Sequence, residues 1–183
     1  MFWSCVLCGI LPAQRVAADL HRMKYSFIVF LFLFLNGHAQ TGNKLYSPLA
    51  NAQRDIAGII NKAKAEKKNI LIQAGGNWCN WCIEFDRFVR ADPQIDSLIN
   101  TDYILYHLNY SPENKNLSIL AKYKFPQRFG FPVFIVLNEN GDQVHTQNSA
   151  YLEQGRSYNK AKVIEFLRHW NRAALDPAGY KNY

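Results

Sequence analysis

Two cysteines, Cys79 and Cys82, are the residues of this chain whose type and spacing could support chemistry. A C-x-x-C pair at the start of a helix suits thiol–disulfide exchange, because unpaired backbone N–H groups and the helix dipole both stabilise a thiolate. The thiolate is the form that attacks disulfides. Two cysteines three positions apart also close too short a loop to stabilise a fold through chain entropy. The pair therefore favours a reactive dithiol over a structural crosslink.

The segments around the pair predict the elements that would position it. The apolar run from Asn69 to Gln73 predicts a strand, and the segment from Gly75 to Asn77 predicts the turn into the cysteines. After the turn, one face of a predicted helix carries Cys82, Phe85, Phe88 and Val89. The order strand, CxxC, helix places Cys79 at the helix start.

The rest of the chain has the periodicity of alternating helices and strands. Ser47-Pro48 predicts the start of a first helix, with serine as N-cap and proline at the first helical position. Strands are predicted at 103–109 and 133–137, and Asn140-Gly141 predicts a hairpin into a return strand from Gln143. Helices are predicted after Pro93, around Leu117 to Tyr123 and near the C-terminal end, around Val163 to Trp170. Together these elements predict an α/β fold, a central mixed β-sheet with helices on both faces.

The charge of the chain is basic but dispersed. The formal net charge is +7, and the lysines at 62, 64, 67 and 68 follow one predicted helix. Such spacing favours a solvated helix face over a nucleic-acid-binding patch, so we expect no nucleic-acid partner.

The amino-terminal region has the pattern of a targeting segment. Met23-Lys24 is followed by an apolar run to Leu35, and Gly37 and Ala39 supply the small residues that precede a signal-peptidase cleavage site. The run is shorter than the roughly twenty residues of a transmembrane helix, although an uncleaved anchor stays an alternative. Residues 1–22 do not fit a signal n-region, because Asp19 interrupts them, so we expect translation to begin at Met23. The pattern predicts an exported, periplasmic protein.

On these motifs, the chain resembles the thioredoxin superfamily. Four features carry the resemblance: the strand before the cysteines, Trp78-Cys79-x-x-Cys82, the segment Gly130-Phe131-Pro132 ahead of a strand, and the Asn140-Gly141 hairpin. The pattern is most similar to exported thioredoxin-like domains, including those of bacterial disulfide-interchange proteins. The resulting division of the chain is a leader (1–22), a signal peptide (23–39), a linker (40–49), a thioredoxin-like domain (50–175) and a tail (176–183).

The resemblance implies roles for individual residues. Cys79 would be the nucleophile and Cys82 the resolving cysteine, with Trp78, Trp81, Phe131 and a cis Pro132 binding the substrate. We expect Cys79 to be accessible and Cys82 sheltered. We expect Trp78 to flank and shield the dithiol, and Trp81 to be exposed and available to a partner.

Three departures limit what the resemblance implies. Thioredoxins have a buried aspartate six residues before the first cysteine, where this chain has Gln73, a neutral amide that cannot accept the proton of Cys82. Asp86 lies four residues after Cys82 and is a candidate proton relay, with an exposed or capping carboxylate as the alternative. The dipeptide between the cysteines is Asn80-Trp81, and Phe131 is bulkier than the residue that thioredoxins carry before the proline.

Two functions follow from the sequence. The first is a thiol–disulfide oxidoreductase outside the cytoplasm that exchanges disulfides with protein partners and needs no cofactor beyond its Cys79–Cys82 disulfide. A membrane disulfide-interchange reductase is a candidate partner. The second is a thioredoxin-fold binding or chaperone-like module with a non-exchanging disulfide. Structural zinc wants four ligands, and the histidines show no paired spacing, so we expect no metal. The direction of electron flow stays open.

Overall fold

The computed structural model describes residues 44–181, so the predicted leader and signal peptide lie outside the described residues. The helices are α1 (Ala52–Glu66), α2 (Asn80–Ala91), α3 (Pro93–Asp102), α4 (Leu117–Lys122) and α5 (Lys160–His169). The strands are β1 (Asn69–Gly75), β2 (Tyr103–Asn109), β3 (Val133–Leu137), β4 (Gln143–Asn148), β5 (Glu153–Gln154) and β6 (Ser157–Tyr158). Short 3-10 turns cover Pro126–Phe129, Ser149–Leu152 and Pro177–Tyr180.

The main sheet is mixed, with strand order β2-β1-β3-β4. Strand β1 pairs in parallel with β2 and antiparallel with β3, and β3 pairs antiparallel with β4. Every residue of β1 and β3 is buried, as expected of central strands covered on both faces. Strands β5 and β6 form a separate two-stranded ribbon that the sequence did not predict.

Helices cover both faces of the sheet, and alternate residues of β1 supply both cores. Ile70 and Ile72 pack with residues of α1 and α4, including Ile56 and Leu120. Leu71, on the opposite face, packs with residues of α2, α3 and α5. This architecture confirms the predicted α/β class, a central mixed sheet between helices, and it is a thioredoxin fold.

The start of the first helix differs from the prediction. Helix α1 begins at Ala52, and its N-cap is Asn51, whose side chain accepts a hydrogen bond from the backbone N–H of Arg54. Ser47-Pro48 is not the cap. The residue before it, Tyr46, is fully buried. Its side chain fixes the segment before α1 against the domain, and that segment is not helical. The predicted hairpin between β3 and β4 is confirmed, since Gly141 adopts a positive φ of 86° at the turn.

Candidate active site

The two cysteines lie at the amino-terminal end of α2 and are joined by a disulfide. Cys79 is the N-cap residue, and its Sγ accepts a hydrogen bond from the backbone N–H of Cys82 at 3.2 Å. Cys82 lies in the first helical turn. An N–H that points at Sγ favours a thiolate there after reduction, and the positive end of the helix dipole acts in the same direction.

Both cysteines are covered in this oxidised state. Cys82 is 0% exposed and Cys79 only 5%, so the expectation that Cys79 is accessible is wrong for the disulfide form. The two residues pack in one cluster with the fully buried Tyr46, and the partly buried Leu45 and Phe131 adjoin that cluster. The two residues differ in exposure in the expected order, but by a small margin.

The prediction that Trp81 is exposed is wrong, and Trp78 is the more exposed of the two tryptophans. Trp78 is 55% exposed, and its Nε1 donates a hydrogen bond to the carbonyl of Tyr110 at 2.7 Å. Trp81 is partly buried, adjoins the dithiol cluster and meets the Tyr158 ring edge-on at 5.5 Å. Trp81 lies in the first turn of α2, on the side that faces the ribbon strand β6, and this packing covers it.

Phe131 and Pro132 lie in the loop before β3, and Phe131 adjoins the cluster that contains both cysteines. The peptide bond between them is cis, and Pro132 is buried. The Phe131 ring meets Trp78 edge-on at 5.6 Å and lies tilted against Tyr110 at 4.8 Å. The fold thus brings the Phe131 ring against Trp78, the residue that precedes Cys79.

Gln73 lies beneath the dithiol, on the central strand β1. It is 0% exposed, and its Nε2 donates a hydrogen bond to the backbone carbonyl of Cys82 at 3.0 Å. Its Oε1 is buried and has no hydrogen-bond partner among residues 44–181. The buried amide therefore supports the first turn of α2 without supplying a charge.

Asp86 follows Cys82 by one helical turn, as its spacing predicted. Its Oδ2 accepts a hydrogen bond from the Nε of Arg90 at 2.8 Å, in an ion pair whose aspartate side chain is 22% exposed. Among residues 44–181, the hydrogen bond and the ion pair of this carboxylate are thus with Arg90, and not with either cysteine.

Sequence reasoning missed several residues that surround the dithiol, above all Tyr46 and His107. His107 is paired with Gln73 in the register of β1 and β2, and its ring meets the edge of Tyr46 at 5.4 Å. Burial lowers the pKa of His107; the nearby Asp86 opposes this shift and Arg90 adds to it. Neither residue lies in a motif, so only the strand register and the packing of the segment before α1 reveal them.

Comparison with known proteins agrees with the geometry. Residues 51–139 match a family model described as thioredoxin-like. The chain contains a thioredoxin-like domain.

Solved structures support the same fold. The chain is similar to a disulphide isomerase from Xylella fastidiosa Temecula1, at 23% identity and a TM-score of 0.62, over 70% of this chain and 97% of that one. It is also similar to a structure described as DsbH oxidoreductase, at 20% identity and a TM-score of 0.50, over 66% of this chain and 82% of that one. Comparison with curated proteins found no match. At these identities the similarities establish the fold, and the resemblance inferred from the sequence is confirmed at that level.

None of the helices within residues 44–181 has the length and apolar character needed to cross a bilayer.

Proposed function

We propose that this protein is a thiol–disulfide oxidoreductase that exchanges disulfides with protein partners outside the cytoplasm. The observation that supports this most is the Cys79–Cys82 disulfide at the N-terminus of α2, with a backbone N–H on the Cys79 sulfur at 3.2 Å. The same N–H would stabilise the thiolate that reduction creates.

The exchange would follow two balanced steps. In the reductant direction, the Cys79 thiolate attacks a partner disulfide, a Cys79–partner bond forms, and the partner's other sulfur leaves as a thiolate. Cys82 then loses its proton and attacks the Cys79 sulfur, which closes the Cys79–Cys82 bond and releases the second partner thiolate. Two electrons pass from the dithiol to the partner. Run in reverse, the same steps oxidise a partner dithiol.

The apolar rim beside Cys79 is the proposed partner contact. Trp78 exposes 55% of its surface there, and Phe131 lies against it. Proline has no N–H, so Pro132 leaves the backbone of Phe131 free to pair with an extended partner segment. Protein thiols and disulfides are therefore the proposed substrates, with the Cys79–Cys82 pair as the redox centre and no other cofactor. Asp86 stays a proposed relay for the Cys82 proton, although Arg90 already holds its carboxylate.

The proposed location is the periplasm, reached through the predicted signal peptide at 23–39. An uncleaved signal that anchors the protein in the membrane is the alternative. A membrane disulfide-interchange reductase is the proposed source of electrons, because a periplasmic dithiol that reduces partners must itself be reduced again.

A second candidate is a binding or chaperone-like module whose disulfide does not exchange. It is favoured by the 5% exposure of Cys79 and by the cover that Tyr46 and Leu45 place over the pair. In this case the disulfide would only hold the surface in shape.

A redox titration separates the two functions. The full chain is equilibrated with dithiothreitol or glutathione buffers, alkylated, and the peptide that carries Cys79 and Cys82 is measured by mass spectrometry. An oxidoreductase should show a reversible transition, and should also reduce insulin with dithiothreitol as electron donor. A variant with Cys5 and Cys8 replaced by serine is the control, because it retains only this pair. A pair that stays oxidised in excess dithiothreitol would establish the non-exchanging module.

A further inference from the structure

Tyr46 is fixed against the dithiol by the turn that precedes Cys79. The side chain of Asn77, in that turn, makes two hydrogen bonds with the backbone of Tyr46. Its Oδ1 accepts from the Tyr46 N–H at 3.0 Å, and its Nδ2 donates to the Tyr46 carbonyl at 2.7 Å. Tyr46 is 0% exposed and shares a buried cluster with both cysteines. Its position is therefore set by the same turn that positions the disulfide.

The Tyr46 hydroxyl and the Cys82 sulfur border one small space above Gly75. A Cβ atom built on Gly75 would lie 2.8 Å from the hydroxyl oxygen and nearer still to the Cys82 Sγ. Real Cβ atoms do not approach other atoms so closely, so the absence of a side chain at residue 75 allows the hydroxyl and the sulfur to share this space.

The hydroxyl is buried and makes no direct hydrogen bond among residues 44–181. The Gln73 side chain is its polar neighbour, and that amide partly offsets the effect of burial on the Tyr46 pKa. An unpaired buried hydroxyl is unfavourable, and a disulfide sulfur is a poor acceptor, whereas a thiolate is a strong one. Burial raises the pKa of Tyr46 well above its ordinary value, so the hydroxyl keeps its proton and is available as a donor.

We propose that Tyr46 is a positioning residue for the resolving cysteine: after reduction, its hydroxyl donates a hydrogen bond to the Cys82 sulfur and stabilises the Cys82 thiolate. The inference rests on the proposed function, because it concerns the step in which Cys82 attacks the mixed disulfide. Tyr46 keeps its own proton throughout, and the proton of Cys82 leaves to solvent, directly or through Asp86, before the attack. The neutral donor would favour the Cys82 thiolate at a site where a buried carboxylate would oppose it.

Other titratable groups face this site and must be held constant in a test. Asp86 and Arg90 lie on α2, His107 lies on β2 with its ring at 5.4 Å from Tyr46, and Tyr158 lies on β6. Asp86 and Tyr158 both contribute to raising the pKa of Tyr46. None of them is altered by replacing Tyr46 with phenylalanine. That substitution keeps the ring and the two hydrogen bonds between Asn77 and the backbone of residue 46, and it removes only the hydroxyl.

The test is the pKa of Cys82 in a Cys79→Ala background, where the two thiols no longer titrate as a pair. It is read from the Cys82 Cβ chemical shift by NMR, which needs no reagent to enter the buried site. Tyr46→Phe should raise this pKa by about one unit, because the thiolate loses one charge-assisted hydrogen bond. Asn77→Ala should raise it in the same direction, because it releases the Tyr46 backbone.

The matched control is Tyr123→Phe. Tyr123 is 2% exposed and its hydroxyl is likewise buried without a partner among the described residues, but it belongs to the core on the other face of the sheet. This variant should leave the pKa of Cys82 unchanged. An unchanged pKa in Tyr46→Phe, or an equal shift in Tyr123→Phe, would overturn the inference. Insulin reduction by the unaltered protein tests the proposed function separately, since a protein without activity could still show a Tyr46-dependent pKa.

Discussion

Cys79 and Cys82 share one disulfide, but the residues around the two cysteines differ in kind. Next to Cys79 lie the backbone N–H of Cys82 and the half-exposed Trp78, whose ring contacts Phe131. Around Cys82 lie the neutral polar side chains of Gln73 and Tyr46, both fully buried.

This difference is consistent with different roles for the two cysteines, Cys79 in attack on a partner and Cys82 in resolution of the mixed disulfide. The apolar, partly exposed side offers a surface for a partner and a helix N-terminus that activates Cys79. On the buried side, Cys82 contacts the neutral side chains of Gln73 and Tyr46, and an unpaired charge there would be very unfavourable. Attack on a partner therefore depends on uncovering Cys79, and release of the partner depends on deprotonating Cys82 among neutral dipoles.

The largest effect should come from removing one sulfur at a time. Cys82→Ser should accumulate disulfide-linked partners in the native compartment, because a mixed disulfide at Cys79 then has no internal thiol to release it. Cys79→Ser should accumulate few or none, since the remaining Cys82 is 0% exposed. Non-reducing gels and mass spectrometry would measure the adducts. Equal amounts of adduct from both variants would mean that Cys79 and Cys82 do not have separate roles in attack and resolution.

Filling the space between Tyr46 and Cys82 should destabilise the fold. Gly75→Ala places a Cβ against the Tyr46 hydroxyl at 2.8 Å and against the Cys82 sulfur, so we expect a loss of about 1–3 kcal/mol in the free energy of unfolding. Gly58→Ala, in α1, meets nothing within 4 Å and should stabilise by about 0.4–1 kcal/mol. Urea unfolding measures both. An unchanged free energy of unfolding in Gly75→Ala would contradict the close packing around Cys82 and Tyr46.

Gln73→Asp would place a carboxyl group in the neutral surroundings of Cys82. Burial should raise the pKa of that carboxyl above its unfolded value of about 3.9, so the variant should lose stability as pH rises from about 4. Once ionised, the carboxylate should raise both thiol pKa values, yet it could accept the Cys82 proton during resolution. We expect its pH–rate profile for insulin reduction, over about pH 5–9, to differ from that of the unaltered protein. Superimposable profiles would place Gln73 away from the reacting thiols.

His107 should make stability depend on pH to a smaller extent. Burial lowers its folded pKa, so the unfolded chain binds the proton more readily, and the stability present above about pH 6.5 should fall as pH drops toward the folded value. His107→Gln should reduce this loss between about pH 7.5 and 5.5, measured by urea unfolding. His169→Gln alters an exposed histidine and should leave the loss unchanged.

The smallest change should follow from Trp78→Phe on the partner-facing side. The variant loses the Nε1 hydrogen bond to the Tyr110 carbonyl but keeps an aromatic ring, so we expect a loss of about 0.5–1.5 kcal/mol or less in unfolding free energy. The apparent KM for a protein disulfide should rise more than kcat falls. Trp81→Phe, on the covered side, should leave KM unchanged, and a larger KM effect there would reverse the comparison.

Elements with local sequence signals were predicted correctly. Strands β2 and β3 begin and end at the residues predicted, because their apolar runs are bounded by turn and helix signals. The position of the cysteines at the start of α2 also followed from local order, since a strand, a glycine turn and an amphipathic helix are consecutive in the chain.

The residues that surround the dithiol depend on tertiary contacts. The start of α1 and the exposure of Trp81 were predicted wrongly, because both depend on distant segments: the backbone of Tyr46 is held by Asn77, 31 residues away, and the Trp81 carbonyl accepts a hydrogen bond from Tyr158, 77 residues away. Tyr46 and His107 carry no motif: Tyr46 packs in the cluster of the two cysteines, and strand register pairs His107 with Gln73. Hydrophobic periodicity predicts which face of a helix or strand is buried, but it does not predict which residue of another element packs against that face.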